Sequence, residues 1–219
     1  MIVKAAKLAL IFTSCVAALL LGLQRTPTAV DPYTALVQST QSSAGVWRAV
    51  SSYDGGLVVD IGRNSDEEYY VITTAPQLTV LNITRNGRSY LRLESTANVA
   101  SLPESLRGSL NSWYALPEGR LYVQPPFSEF MKSYELDGEA VLTAERSWTV
   151  AGNTHGVTSV RSDVANRVSE ITAGNVTIAI SYEVSAMPEI AASSSVTVER
   201  AQDLLNEATQ YQNSLVLKP

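Results

Sequence analysis

The stretch ITRNGRSY, residues 83–90, decides the fold of this chain. Its Asn86-Gly87 pair lies between two runs that are rich in β-branched and aromatic residues. An Asn-Gly pair suits the two central positions of a type I′ turn, because both positions need a positive φ. After the turn, Leu91 and Leu93 alternate with charged residues, which is typical of a strand with one buried face and one wet face. The stretch therefore predicts an antiparallel hairpin.

The same alternation recurs on both sides of this hairpin, and each recurrence predicts a strand. The clearest is Asn175–Val184, in which Ile178, Ile180 and Tyr182 share one face and Thr177 lies on the other. The other predicted strands are Trp47–Ser52, Leu57–Ile61, Tyr69–Thr74, Gln77–Thr84, Ala140–Thr143, Ser147–Val150, Gly156–Arg161 and Arg167–Thr172. Many short strands with turns between them favour a mostly β (α+β) fold, built as a curled antiparallel sheet or half-barrel.

A helical insertion interrupts the strands at about residues 100–135. It is rich in proline and predicts two short helices, Glu104–Asn111 and Phe127–Tyr134, with a brief strand at Trp113-Tyr114 between them. We expect these short helices on one face of the sheet, because a sheet buries its apolar face against another layer.

Both ends of the sheet region also predict helices. Tyr33–Ser43 follows an Asp-Pro pair, and proline is compatible with the first turn of a helix. Val198–Leu215 carries apolar residues at helical spacing, so it predicts an amphipathic helix with Thr197 as its N-cap.

The N-terminus predicts membrane attachment. Lys4 and Lys7 precede residues 8–23, an uncharged run about 24 Å long as a helix. That length spans a bilayer if flanking residues contribute, and the preceding lysines place the N-terminus inside. The predicted organisation is a signal-anchor or transmembrane segment at 1–24, a linker at 25–32, the sheet domain at 33–198, and a C-terminal helix and tail at 199–219.

Three interpretations of this N-terminus stay open. In the first, residues 8–23 are an uncleaved anchor, which needs no special sequence site. In the second, they belong to a cleaved signal peptide, although no good small-residue site follows Leu23. In the third, Cys15 is the lipidated residue of a lipoprotein, although the residues before it match such a signal poorly. All three place residues 25–219 on the extracytoplasmic side.

Composition excludes several classes of function. The chain has 219 residues, 45% of them hydrophobic and 17% charged, which suits a protein with a core rather than a disordered one. A net charge of −5 argues against nucleic acid as a partner. One cysteine and one histidine exclude a disulfide framework and a Cys/His zinc site.

No residue pattern recommends catalysis, a metal or a cofactor. His155 lies in a predicted turn, and no nucleophile motif accompanies it, so we expect a solvated histidine and no enzyme activity. The acidic run Asp66-Glu67-Glu68 contains oxygen ligands of the kind that calcium prefers, but three adjacent acids in a hairpin loop are far more often simply a hydrated loop tip. We predict no catalytic residues, no metal site and no cofactor.

Three stretches carry a resemblance to a known family. They are NGRSYLRLES (86–95) followed by SWYALPEG (112–119), SWTVAGNTHGVTSVRSDV (147–164), and RVSEITAGNVTIAISYEVSAMPEI (167–190). The chain has an exported N-terminus, consecutive strands, a proline-rich helical insertion near the middle, and then more strands. With the three stretches in this order, it resembles the LolA/LolB-like fold and in particular the LppX/LprG-type envelope lipoproteins. The resemblance implies a membrane-tethered, non-enzymatic protein that holds a lipid or another apolar ligand between its sheet and its helices.

If such a cavity exists, the apolar face of the strands must line it. The predicted ligand-binding residues are Leu91, Leu93, Ile178, Ile180 and Tyr182, with Trp113 closing the mouth. The alternative function is a structural or interaction domain of the cell envelope without a ligand. In that case, the apolar stripe of the 198–215 helix would cover a protein partner or a second copy of the chain.

Overall fold

The protein divides into two compact units, residues 1–35 and 36–219. The structure is a computed structural model, and it describes residues 31–42, 45–95, 98–116, 127–132, 134, 136, 138–151, 158–191 and 193–216. In the first unit, the Asp31 carboxylate accepts hydrogen bonds from the N–H groups of Tyr33 (3.1 Å) and Thr34 (3.0 Å). These bonds satisfy two backbone donors that have no partner within the first turn of helix α1, Pro32–Ser42.

Short strands dominate the described part of the second unit. The strands are β1 Trp47–Ser52, β2 Val58–Arg63, β3 Glu68–Thr74, β4 Leu78–Arg85, β5 Arg88–Ser95, β6 Trp113–Ala115, β7 Glu139–Ala144, β8 Ser147–Ala151, β9 Thr158–Ser162, β10 Val168–Ala173, β11 Val176–Ser181 and β12 Ser193–Ser195. The further helices are α2 Glu104–Arg107, α3 Phe127–Lys132 and α4 Val198–Val216.

The described strands form one open, curled sheet of 12 strands. Their order is β12-β6-β5-β4-β3-β2-β1-β11-β10-β9-β8-β7. Strands β1 to β6 together with β12 form one half and β7 to β11 the other, and the antiparallel pairing of β1 with β11 joins the halves. The prediction of a mostly β fold with a curled antiparallel sheet is confirmed. One pair differs, because β12, which the sequence did not predict, lies parallel to β6.

The predicted hairpin at residues 83–90 is present. Asn86 has a φ of 51° and Gly87 a φ of 73°, as a type I′ turn requires. The turn sets the register of β4 against β5, in which Val80 lies opposite Leu93 and Asn82 opposite Leu91.

Side chains on one face of the sheet line up in rows across the strands, because alternate residues of a strand point to the same face. The first row contains Trp148, Val160, Ile171, Ile178, Ser51, Val59, Thr73, Val80 and Leu93. The second row contains Ile180, Ala49, Ile61, Val71, Asn82, Leu91 and Tyr114. We call this face the helical face, because helices pack on it.

Helices α2 and α4 cover the β4 and β5 part of the helical face. Ala201, Leu204 and Ala208 of α4 and Leu106 of α2 are buried in one cluster with apolar residues of β4 and β5, among them Leu78, Val80, Leu91 and Leu93. The predicted amphipathic helix is therefore present, and its apolar stripe packs on the sheet of its own chain. Thr197 caps α4 as predicted, because its Oγ1 accepts a hydrogen bond from the Arg200 N–H at 3.2 Å.

Two polar contacts attach α1 to the half of the sheet that contains β10. Thr40 Oγ1 donates to the Leu36 carbonyl at 2.8 Å and accepts from the Val168 N–H at 2.8 Å. Ser39 Oγ donates to the Asn166 carbonyl at 2.6 Å. The C-terminal turns of α1 are thus bound to the start of β10.

Residues 185–191, which follow β11 along the chain, cover part of the opposite face. Met187 and Ile190 pack against a buried cluster on β3, β4 and β6 that consists of Tyr70, Leu81, Ile83 and Trp113. Asn64 holds the start of the segment, since its side chain both donates to the Ser185 carbonyl and accepts from the Ser185 N–H, each at 2.9 Å.

Several predictions fall on residues outside the described ones, namely the membrane segment 8–23, Cys15 and His155. Within the ranges that the structure does describe, none of the helices has the length and hydropathy needed to span a membrane.

Candidate functional site

On the helical face, strands β2 and β3 lie between two covers. On one side, α2 and α4 pack on β4 and β5. On the other, the Phe127 and Phe130 rings of α3 pack on Trp47 of β1. Between these covers, β2 and β3 contribute half-buried residues that we call the central strip: Val59, Ile61, Val71 and Thr73.

Partial exposure is unusual for interior strands of a sheet. In the described sheet, six strands lie beyond β2 on the β1 side and four lie beyond β3 on the β4 side. The helical-face neighbours on β1 and β4 are fully covered, as Ala49 and Val80 illustrate. A half-buried apolar floor in the middle of a large sheet leaves hydrophobic surface that a ligand can remove from water.

Polar contacts mark the edges of the central strip at its first row. On the side of α4, the buried Gln212 side chain donates through Nε2 to the carbonyls of Thr73 (2.8 Å) and Leu78 (2.9 Å). On the side of β1, burial raises the pKa of the Tyr134 phenol, and a hydrogen bond with Ser51 acts in the opposite direction. At its first row, the strip is therefore bordered by polar groups that already have partners.

An aromatic cluster borders the strip on the β1 side. The Trp47 ring centroid lies 5.2 Å from that of Phe127 and 4.9 Å from that of Phe130. Trp47 is fully buried, and its Nε1 has no hydrogen-bond partner in the part of the chain that the structure describes.

Tyr182 belongs to this cluster. Its ring meets Phe127 edge-on at 5.8 Å, and its hydroxyl donates to the Val168 carbonyl at 2.6 Å. Burial raises the pKa of Tyr182, while a hydrogen bond with Thr40 and the charge of Arg167, whose guanidinium lies 4.2 Å from the ring centroid, act to lower it. The phenol is thus a neutral structural anchor at ordinary pH.

The row beyond Ile61 and Val71, the third row, combines buried aromatic residues with polar ones. This row contains Trp47, Arg63, Tyr69, Thr84 and Ser89. Arg63 forms an ion pair with Asp66 in the β2–β3 turn. The side chain of Arg63 is 14% exposed, whereas that of Asp66 is 89% exposed. Along β2, two apolar positions, Val59 and Ile61, therefore lead to a cation.

The structure does not bring all of the predicted ligand-binding residues together on one face of the sheet. Leu91, Leu93, Ile178 and Ile180 do lie on one face of one sheet, but all four are buried. Leu91 and Leu93 lie beneath α2 and α4, so helices already occupy the space above them.

Trp113 lies on the opposite face of the sheet. It packs with Tyr70, Leu81 and Ile83, and the Arg92 guanidinium lies 5.5 Å from its ring centroid. β6 pairs with β5 so that Trp113 lies opposite Arg92 rather than opposite a leucine. This register directs the indole away from the helical face.

Sequence reasoning missed the residues of the central strip and Arg63. The apolar run Val58-Val59 with Ile61 was recognised as a strand, but such a run does not reveal which strands the helices leave open. Arg63 lies at the end of β2, where a charge is ordinary for a residue next to a turn.

No protein-family model and no curated protein matches this chain. An apolar floor with a cation at one end has the chemistry of a binding site for an amphiphile, and the described strip shows no nucleophile paired with a base.

Proposed function

We propose that this chain is a non-enzymatic protein that binds an acyl chain on the extracytoplasmic side of a membrane, with residues 8–23 as its tether. One observation carries the proposal: the half-buried apolar residues of β2 and β3 lie between two helical covers in the middle of the sheet. In this proposal, the curled sheet acts as a half-barrel, as its sequence resemblance to the LolA/LppX-type lipoproteins implies.

The energetic argument is burial of apolar surface. An acyl chain on Val59, Ile61 and Val71 removes its own surface and theirs from water, worth about 25 cal/mol per Å² before the costs of binding. From Val59 to Arg63 the floor extends roughly 13 Å along the strand. A chain lying along β2 would use both apolar rows of the strip.

Filling the strip tests the proposal. We expect Val71→Trp to abolish retention of dodecanol by the full-length chain, because the indole occupies the place of the ligand. The free energy of unfolding should change by less than about 1 kcal/mol, since a half-buried position has room for a larger side chain. Equilibrium dialysis and chemical denaturation measure the two quantities.

Ala179→Trp is the matched control, because Ala179 is exposed on the opposite face of β11. It should leave dodecanol retention unchanged. If Val71→Trp instead destabilises the protein by about 1–3 kcal/mol, as overpacking of a solid core does, there is no space above the strip and the proposal is wrong.

A second candidate function is an interaction domain that assembles with a second copy of the chain. Strand β7 is an edge of the described sheet, and its Val141 and Leu142 are exposed. An edge strand with apolar side chains is a template for pairing with another strand. This function does not need the central strip.

Sedimentation of the full-length chain in detergent distinguishes the two functions. The acyl-chain proposal predicts a monomer, both for the wild type and for Leu142→Lys, because ligand binding uses β2 and β3. A wild-type dimer that Leu142→Lys dissociates would favour assembly through β7 instead.

A further inference from the structure

We propose that the ligand carries an anionic head group, which Arg63 binds at the polar end of the central strip. This inference rests on the proposed function, since it names the class of amphiphile that the same strip holds. The occupant is a single acyl chain that ends in a carboxylate or a phosphate.

Arg63 lies at the end of β2, beyond its two apolar helical-face positions. Val59, Ile61 and Arg63 are alternate residues of β2, so their side chains leave the strand on the same face. Ile61 lies opposite Val71, and Arg63 lies opposite Tyr69. A chain that lies over the two apolar rows therefore ends at the guanidinium.

The burial of Arg63 also favours an anionic ligand. Its side chain is largely covered, yet its carboxylate partner Asp66 is in water. An ion pair with one fully hydrated member gains little, so Asp66 alone does not account for a largely buried cation. A carboxylate or phosphate that arrives on the covered side would bind the planar guanidinium with two parallel hydrogen bonds.

The neighbour of Arg63 in the third row, Trp47, has a hydrogen-bond donor without a described partner. Trp47 pairs with Arg63 across β1 and β2, and cross-strand partners have Cβ atoms about 5 Å apart. Its buried indole N–H lacks a partner among the described residues. Such an orphaned donor beside a cation suits an anionic acceptor.

The net charge of the chain bears on how an anion can be recognised. The chain as a whole carries −5, which repels anions at long range. Recognition of an anion must therefore be local, and on the helical face the third row supplies the guanidinium. The test accordingly compares head groups on one chain length rather than chains of different length.

The experiment measures binding of four probes to the full-length chain by equilibrium dialysis: laurate, dodecyl phosphate, dodecanol and dodecyltrimethylammonium. We expect both anions to bind about tenfold or more tightly than dodecanol, and the cation to bind more weakly than dodecanol. Laurate against dodecyl phosphate shows which anion is preferred.

Arg63→Gln should remove the preference for the anions while dodecanol binding stays unchanged. Asp66→Asn should strengthen laurate binding, because it removes the competing carboxylate, and this second variant covers the case in which Arg63→Gln does not fold. Arg161→Gln is the charge control, because Arg161 is 61% exposed on the opposite face. It should change nothing.

The outcomes separate the two proposals. If dodecanol binds and the anions bind no better, or if Arg63→Gln keeps the preference, the head-group inference is wrong and the acyl-chain function stands. If none of the four probes binds, the acyl-chain function fails and the inference falls with it.

Discussion

Replacing Ile178 by aspartate lowers the free energy of unfolding by several kcal/mol, roughly 3 or more, whereas Thr177→Asp lowers it by about 1 kcal/mol at most. The two residues are neighbours in β11 and point to opposite faces. Ile178 is fully buried between Ile171 of β10 and Ser51 of β1 in the first row. An aspartate there has no cation beside it in the row, so its carboxylate is buried without a partner.

Thr177 is exposed, and a carboxylate at that position keeps its water. Urea denaturation of the full-length chain measures both variants. Similar midpoints for Ile178→Asp and Thr177→Asp would contradict the register between β11 and β1. The joint between the two halves of the sheet depends on that register.

Trp47→Ala should lower the free energy of unfolding by about 3–5 kcal/mol. Trp47 is fully buried and lies within 5.2 Å, centroid to centroid, of both aromatic rings of α3. Truncation therefore leaves a cavity and also removes the surface on which α3 packs. Chemical denaturation measures the loss.

Trp47→Phe is the matched control. It keeps an aromatic ring against Phe127 and Phe130, but it removes part of the indole volume together with the indole N–H, which has no partner within the described ranges. We expect a loss of roughly 1–2 kcal/mol, because the smaller cavity is offset by removal of an unsatisfied donor. A loss below about 1 kcal/mol for Trp47→Ala would mean that α3 is not held by this cluster.

Local patterns predicted the strands well. Trp47–Ser52 has the predicted bounds, and the alternation in Val176–Ser181 assigns Ile178 to the buried face. The positive φ values of Asn86 and Gly87 follow from the chemistry of those two residues. These features depend on neighbours in sequence, and the hydrophobic pattern records them directly.

Long-range pairing was not predictable in the same way. Ser193–Ser195 has no apolar alternation, and it pairs with β6 as a parallel strand next to α4. Its position is set by the residues around it: the N–H of Val196 donates to the Ala115 carbonyl at 3.1 Å, and α4 begins two residues later. The sequence of β12 itself contains no signal of this.

The candidate site was predictable only by class. Leu91 and Leu93 read as apolar lining, and they are apolar and on the expected face, but the sequence does not tell that α4 covers them. Whether a strand faces a helix or open space depends on tertiary packing, so Val59, Ile61 and Val71 could not be distinguished from core. The role that we propose for Arg63 depends on that same packing.

Photo-crosslinking tests the central claim most directly. A dodecanoate that carries a diazirine near the middle of its chain is bound to the full-length protein, irradiated, and located by peptide mass spectrometry. Crosslinks to residues 58–74, the β2–β3 hairpin, are the expected result, and they should disappear in Val71→Trp. Crosslinks confined to residues 8–23, or spread without preference and unchanged in Val71→Trp, would contradict an acyl-chain site on the central strip.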